Sequence, residues 1–195
     1  QKISQNDNLT REDMDLLFEL RFAFALDQAG VTPNYEIAGE GLSTLDFGFT
    51  SNGTKWHVEL MRLNETNASK EATVVTQIQK GVTRYTRCLS SDNKDQNHST
   101  EGETIKAIQR ICGKCEKNEQ PHKFPIPSDA MHVLLVDFRT VFFGGDEYDR
   151  IQVAYGSEAI ADERLRLYWE GKSISGVFDT RTQVRGASHL RERVH

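Results

Sequence analysis

Nowhere does the chain carry a run of roughly 18 consecutive apolar residues, so no segment of the sequence reads as a bilayer-spanning helix. The apolar h-region of a secretory signal is missing as well. Cysteine is scarce and odd in number (Cys88, Cys112, Cys115), which argues against the disulfide framework of a secreted domain. The Asn-x-Ser/Thr triplets beginning at Asn8, Asn52, Asn64, Asn67 and Asn97 therefore carry no weight, and the expected location is the cytoplasm. A surplus of positive charge is lacking too: 24 Lys and Arg stand against 29 Asp and Glu, a formal net charge of −5. The surface as a whole is not one that attracts polyanions, so any nucleic-acid contact must come from local basic patches. There is no internal repeat and no linker. The 195 residues, 37% of them hydrophobic, suffice for one core and are expected to form a single domain. The start at Gln1 and the end at Arg-Val-His suggest a piece of a longer protein.

What is present is concentrated in residues 43–62. Asn52-Gly53 is the two-residue signal of a type I′ hairpin, because both central positions of that turn need positive φ. With Ser51 and Thr54 flanking the turn, Leu45 faces Leu60, Phe47 faces Val58 and Phe49 faces Trp56, giving one apolar side. On the other side Asp46 faces Glu59, Gly48 faces His57 and Thr44 faces Met61. Two carboxylates directly opposed across a ladder repel. A bound cation or a shared proton would offset that repulsion.

An Asp on one strand and a Glu on its hairpin partner, here Leu45-Asp46 and Val58-Glu59-Leu60-Met61, resembles the active site of the PD-(D/E)XK nuclease superfamily. The resemblance in element order spans roughly residues 10–137. It implies a restriction-endonuclease-like α/β/α sandwich with a central mixed sheet, and metal-dependent hydrolysis of DNA phosphodiester bonds. Magnesium, with manganese as substitute, would be held by Asp46, Glu59 and the carbonyl of Leu60. Dimerisation is common in that superfamily and a homodimer is carried over as an expectation. Two departures matter. Leu45 stands where the family has Pro, and Met61 stands where it has the Lys that orients the attacking water and balances phosphate charge. A thioether can do neither. A nuclease impaired by Met61, one whose base has moved, and a non-catalytic module that binds nucleic acid or protein all remain open. Candidates for the missing corner are His57, one pleat from Glu59 and titrating near neutrality, and Lys80 with Gln77 beside it. Lys55 shares the face but lies farther off. Many members of the superfamily add an acid from the first helix, which here would be Glu19.

The remaining elements follow from caps and periodicity. Thr10 and Asp13 form a capping box for a first helix running to Ala29, with Gly30 as its stop. Tyr35–Ala38 is a short strand. A second helix is expected over about 67–89, capped by Asn67 or Ser69, with Val74, Ile78 and Val82 inward and Lys80, Arg84 and Arg87 on another face. Residues 90–102 should be a mobile loop. A third helix over about 103–116 carries Lys106 and Arg110. With Lys80, Arg84 and Arg87 these form the candidate nucleic-acid contacts, gripping phosphates without sequence preference. A Pro-bounded connector, His122–Pro127, precedes a buried central strand, Met131–Phe138, with Asp137 and Arg139 at its end. Asp146–Asp149 reads as a solvated turn, Ile151–Tyr155 as a strand, and Ser157–Glu170 as a helix stopped by Gly171. The unit Cys112-Gly-Lys-Cys115, with Cys88 and His122, falls short of a structural zinc site because the second tight pair is missing.

Overall fold

In the computed structural model, which describes residues 10–139 and 145–195, the chain begins in helix α1 (Arg11–Gln28). Thr10 and Asp13 close the expected capping box, each side chain accepting the other's backbone N–H. The elements that follow are β1 (Asn34–Ala38), β2 (Thr44–Ser51), β3 (Thr54–Arg62), α2 (Asn67–Glu71), β4 (Thr73–Gln79), β5 (Val82–Arg87) and α3 (Thr100–Gly113). Then come the short pair β6 (Glu116–Lys117) and β7 (Gln120–Pro121), β8 (Ala130–Asp137), α4 (Glu147–Tyr155), the short pair β9 (Tyr168–Trp169) and β10 (Lys172–Ser173), and α5 (Ala187–Arg193). Their packing divides the chain into two units. One comprises residues 10–62, 122–137 and 193–195; the other comprises 63–121 and 138–192.

The first unit is mixed α/β, built on a four-stranded sheet in the order β1-β2-β3-β8. β1, β2 and β3 are antiparallel neighbours, whereas β8 runs parallel to β3 with Val58 paired to Val133 and Glu59 to Leu134. The sheet is therefore mixed, as expected. β8 is an edge strand among the described strands rather than a central one. Its outer side takes the chain's end, where His195 N–H donates to the His132 carbonyl at 2.9 Å. Phe47, Val58 and Leu60 are buried on one face beneath Phe18, Phe22 and Ala23 of α1. The helix turns a second stripe, Leu16, Leu20 and Phe24, to solvent. Arg62 joins the buried side, 3.8 Å from Asp15 and 3.7 Å from Asp137.

In the second unit the sequence expectation fails in three places. Residues 67–89 do not form one helix: Thr66 caps the single short helix α2, and the chain then becomes the β4–β5 hairpin. The apolar spacing fits a helix, but Thr73-Val-Val-Thr76 is a β-branched run that loses side-chain freedom in one. Gly81, at φ 81, makes the turn. Ile151–Tyr155 is the end of helix α4, not a strand, because Asp146 is its N-cap and Asp149 completes a capping box. The acids read as a solvated turn are thus the helix start. Ser157–Glu170 is not a helix but two 3-10 turns, at Ser157–Ala159 and Glu163–Leu165, followed by β9. Gln152 and Leu167 both hydrogen-bond there with Ser157 Oγ, and Ile174 N–H donates to it at 2.8 Å. That buried hydroxyl organises the segment into a turn. Helix α3 starts three residues earlier than expected, capped by Ser99, and absorbs the end of the anticipated loop. No described helix is long and apolar enough to cross a membrane.

Candidate functional site

The β2–β3 hairpin forms as its turn residues dictate. Asn52 and Gly53 adopt φ 51 and 77, and the ladder runs from Ser51 opposite Thr54 to Phe47 opposite Val58. Continued by one residue, this register sets Asp46 across from Glu59. There the main-chain ladder gives way, and Leu60 N–H donates to Asp46 Oδ2 at 2.6 Å. Since side chains alternate along a strand, Asp46, His57, Glu59 and Met61 lie on the face away from α1. Gly48 on this face has Ile37 packed over it: a Cβ there would sit 2.8 Å from the Ile37 Cδ1.

Glu59 is fully buried and Asp46 half-buried. The residue that meets Glu59 was not among the sequence candidates. Lys123 Nζ lies 2.9 Å from Glu59 Oε1 and donates to the Thr44 carbonyl at 2.8 Å. Its backbone is fixed by the β1–β2 turn. The Lys123 carbonyl accepts from Glu40 N–H at 2.8 Å, and its N–H donates to Ser43 Oγ. Gly39 permits this approach, because a Cβ there would stand 2.4 Å from the Lys123 carbonyl oxygen. Lys123 itself sits at φ 67, in the left-handed region. Next to it, Phe124 is buried, and its carbonyl accepts from Arg193, which also pairs with Glu40 at 2.8 Å. The connector expected at His122–Pro127 is therefore what delivers the ammonium group. Nothing in the spacing of the motif signals this, since the residue is brought in by a distant loop. The available hint was a lysine flanked by Pro121 and Pro125 just ahead of β8.

The repulsion expected between Asp46 and Glu59 is thus offset by groups of the chain itself, Lys123 and the Leu60 N–H. A cation is not required merely to hold the pair. The donor set nevertheless fits one: two carboxylates and the Leu60 carbonyl are hard oxygen donors, matching magnesium's habit of taking one or two carboxylates with water and phosphate oxygens. Among the described residues no group of three His, Cys, Asp or Glu side chains is gathered as a metal site, so the zinc reading of Cys88, Cys112, Cys115 and His122 gains nothing. Cys112 and Cys115 are buried free thiols, and burial pushes Cys112 up to about 11.

The other candidates are dispersed. Glu19 accepts a hydrogen bond from the Tyr35 hydroxyl at 2.8 Å, on the α1 side of the sheet rather than beside Glu59. That bond, then burial and the nearby Glu19, Glu36 and Asp46 charges, push Tyr35 up to about 12. His57 stacks on His132 with ring centroids 5.3 Å apart and planes inclined by 12°. Burial, then the charges of His132 and Lys55, hold His57 below its ordinary value, Asp129 opposing. The ring stands on the carboxylate face of the sheet. Lys55 is engaged with Asp129 at 3.0 Å. Gln77 and Lys80 belong to the second unit, on β4 and at the ribbon's turn, and Arg84 and Arg87 to β5. The basic stripe expected on a helix is therefore strand and turn. Arg87 pairs with Glu65, Lys106 with Glu103 at 3.2 Å, and Arg110 donates to the Asn64 carbonyl.

Comparison with known proteins returned nothing: no family model matches the chain, and no curated protein or solved structure gives a significant match.

Proposed function

We propose that the first unit is a metal-dependent DNA phosphodiesterase of the PD-(D/E)XK type, in which Lys123 takes the place of the lysine that Met61 replaces. The observation that carries the reading is the Lys123 ammonium on Glu59, on the strand face that also bears Asp46. The order helix, three antiparallel strands, a later helix in the chain, then a strand parallel to the third supports it. Magnesium or manganese, held by Asp46, Glu59 and the Leu60 carbonyl, would polarise a phosphoryl oxygen and acidify a bound water. Asp46 is oriented for this by the Leu60 N–H, and Glu59 by Lys123. The Lys123 ammonium would balance charge developing on the phosphate. His57, on the same strand face, is the candidate proton acceptor.

A second reading has an observation of its own. The Glu59–Lys123 pair neutralises the buried carboxylate without any metal, as befits a nuclease-like module that binds without cutting. Nicking of supercoiled plasmid with manganese separates the two. On the enzyme reading the chain nicks DNA, Glu59→Gln and Lys123→Met each lose about a hundredfold or more, and Met61→Lys added to Lys123→Met restores part of the rate. A chain that neither cuts plasmid nor takes up manganese at Glu59 overturns the enzyme reading in favour of the module.

A further inference from the structure

We propose that the β4–β5 ribbon is a docking surface for duplex DNA, with Lys80 and Arg84 on the phosphates and Val75 and Tyr85 against the groove wall. The inference rests on the reading of a protein that acts on DNA, and it assigns a surface that the carboxylate site does not include. From Val74 to Thr86 every residue is exposed, on both faces of the ribbon. A two-stranded ribbon standing alone buries little and is at best marginally stable in water. This one nonetheless keeps large apolar side chains in solvent, Val75 at 58% and Tyr85 at 62% exposure. Contiguous exposed apolar surface of this kind marks an interaction site.

Charge decides the occupant. In a chain with a surplus of acids, no Asp or Glu occurs between Glu71 and Asp92, the longest acid-free stretch in the sequence. The three cations within it divide by position. Arg87, at the base, is held by Glu65 and donates to Thr73 Oγ1 at 3.2 Å, so it serves the ribbon's own structure. Lys80 at the turn and Arg84 on β5 are exposed and carry no ion pair among the described residues. Register puts Arg84 opposite Thr76 on one face and Tyr85 opposite Val75 on the other. The major groove of B-DNA admits a two-stranded β-ribbon, and Thr76, Gln77, Gln79, Thr83 and Thr86 suit base edges and phosphates alike, while Val74, Ile78 and Val82 add to the exposed apolar surface. A second copy of the same ribbon would meet like charge with like charge, which disfavours self-pairing.

The test uses the full chain, a labelled mixed-sequence duplex and fluorescence anisotropy over a salt series in EDTA, where cleavage cannot interfere. Lys80→Ala with Arg84→Ala is expected to weaken binding about tenfold or more and to flatten the log–log salt slope by about 2, near 0.9 for each phosphate no longer neutralised. Lys94→Ala, which removes an exposed charge outside the ribbon, should leave the slope unchanged. Both ribbon side chains are solvated, so the double variant keeps the native fold, which circular dichroism checks. An unchanged slope in the double variant overturns the proposal, as does a wild-type chain that binds no duplex. So does self-association that Tyr85→Lys dissolves while DNA affinity stays the same. Glu59-dependent plasmid cutting alongside an unchanged slope would overturn the ribbon and leave the nuclease standing. Ribbon-dependent binding by a chain that neither cuts plasmid nor takes up manganese at Glu59 would uphold the ribbon and overturn the nuclease.

Discussion

The β2–β3 and β4–β5 hairpins are of similar length and have opposite fates. Each carries β-branched and aromatic residues and turns on two residues ending in glycine, Asn52-Gly53 in β2–β3 and Lys80-Gly81 in β4–β5. In the first, Phe47 and Val58 are each 3% exposed beneath α1. In the second, every side chain of the central ribbon meets water. Local sequence can specify a hairpin in both cases, but it does not say whether a partner layer covers it. The covered hairpin derives its stability from packing. The bare one retains apolar and basic groups that packing does not explain, which is why a binding role is assigned to it.

The sharpest way to break the comparison is to remove one large side chain from each hairpin. Phe47→Ala deletes a ring packed 5.3 Å from Phe22 and 5.4 Å from Tyr35, and should cost roughly 3–5 kcal/mol in urea unfolding. Val75→Ala, exposed in the ribbon, should shift the same transition by less than about 0.5 kcal/mol. Equal effects would mean that the ribbon is packed after all.

The first hairpin was readable from the sequence because its register follows from a turn whose conformation only a few residue pairs tolerate. Helix α1 was readable because its cap is local, Thr10 bonding a residue three positions on. The second hairpin was misread for a physical reason. Val74, Ile78 and Val82 recur at helical spacing, yet periodicity reports burial, and here none of them is buried. With no covering layer to read, the β-branched run and the turn glycine were the better guides. The site divided in the same way. Asp46 and Glu59 are neighbours by register, so strand periodicity alone placed them. Lys123 reaches Glu59 through the fold of a loop pinned at Gly39 and Ser43, which no local rule encodes. The group that faces Glu59 is a lysine of the chain itself, and the sequence signal lay in the repulsion rather than in the residue that relieves it.

The next largest effect separates the hairpins by charge. Lys123→Met removes the Lys123 ion pair from the fully buried Glu59, and breaking a buried pair costs about 3–5 kcal/mol. The lower end is expected here, because part of the Lys123 side chain reaches solvent. Glu59→Gln added to Lys123→Met should recover much of that loss, since the neutral amide no longer needs a counter-charge. In the ribbon, Arg84→Met changes an exposed cation and should leave the urea midpoint unmoved. A double variant at 59 and 123 no more stable than Lys123→Met would show that the pair is not coupled.

The smallest effect is set by the imidazoles on the covered sheet. His57 and His132 stack face to face, and the His132 Nδ1–H donates to the Arg193 carbonyl at 2.8 Å. Burial holds both below the ordinary value of 6.5. For His132 the hydrogen bond to Arg193 opposes that shift, the charges of His195 and Arg193 reinforce it, and Asp129 opposes it. A group with a depressed folded-state pKa binds its proton more readily in the unfolded chain, so stability rises with pH through this window. The contribution is complete above about pH 6.5, where both states are neutral. It is lost as pH falls from there through the folded-state values, where protonating both rings would place like charges on two stacked imidazoles. Urea midpoints measured from neutral to mildly acidic pH should therefore decline. His57→Gln should flatten the decline by removing one of the two titrating rings, whereas ribbon variants such as Val75→Ala should follow the wild-type slope. A His57→Gln profile as steep as wild type would assign the acid sensitivity elsewhere and detach the stacked pair from the stability of the covered hairpin.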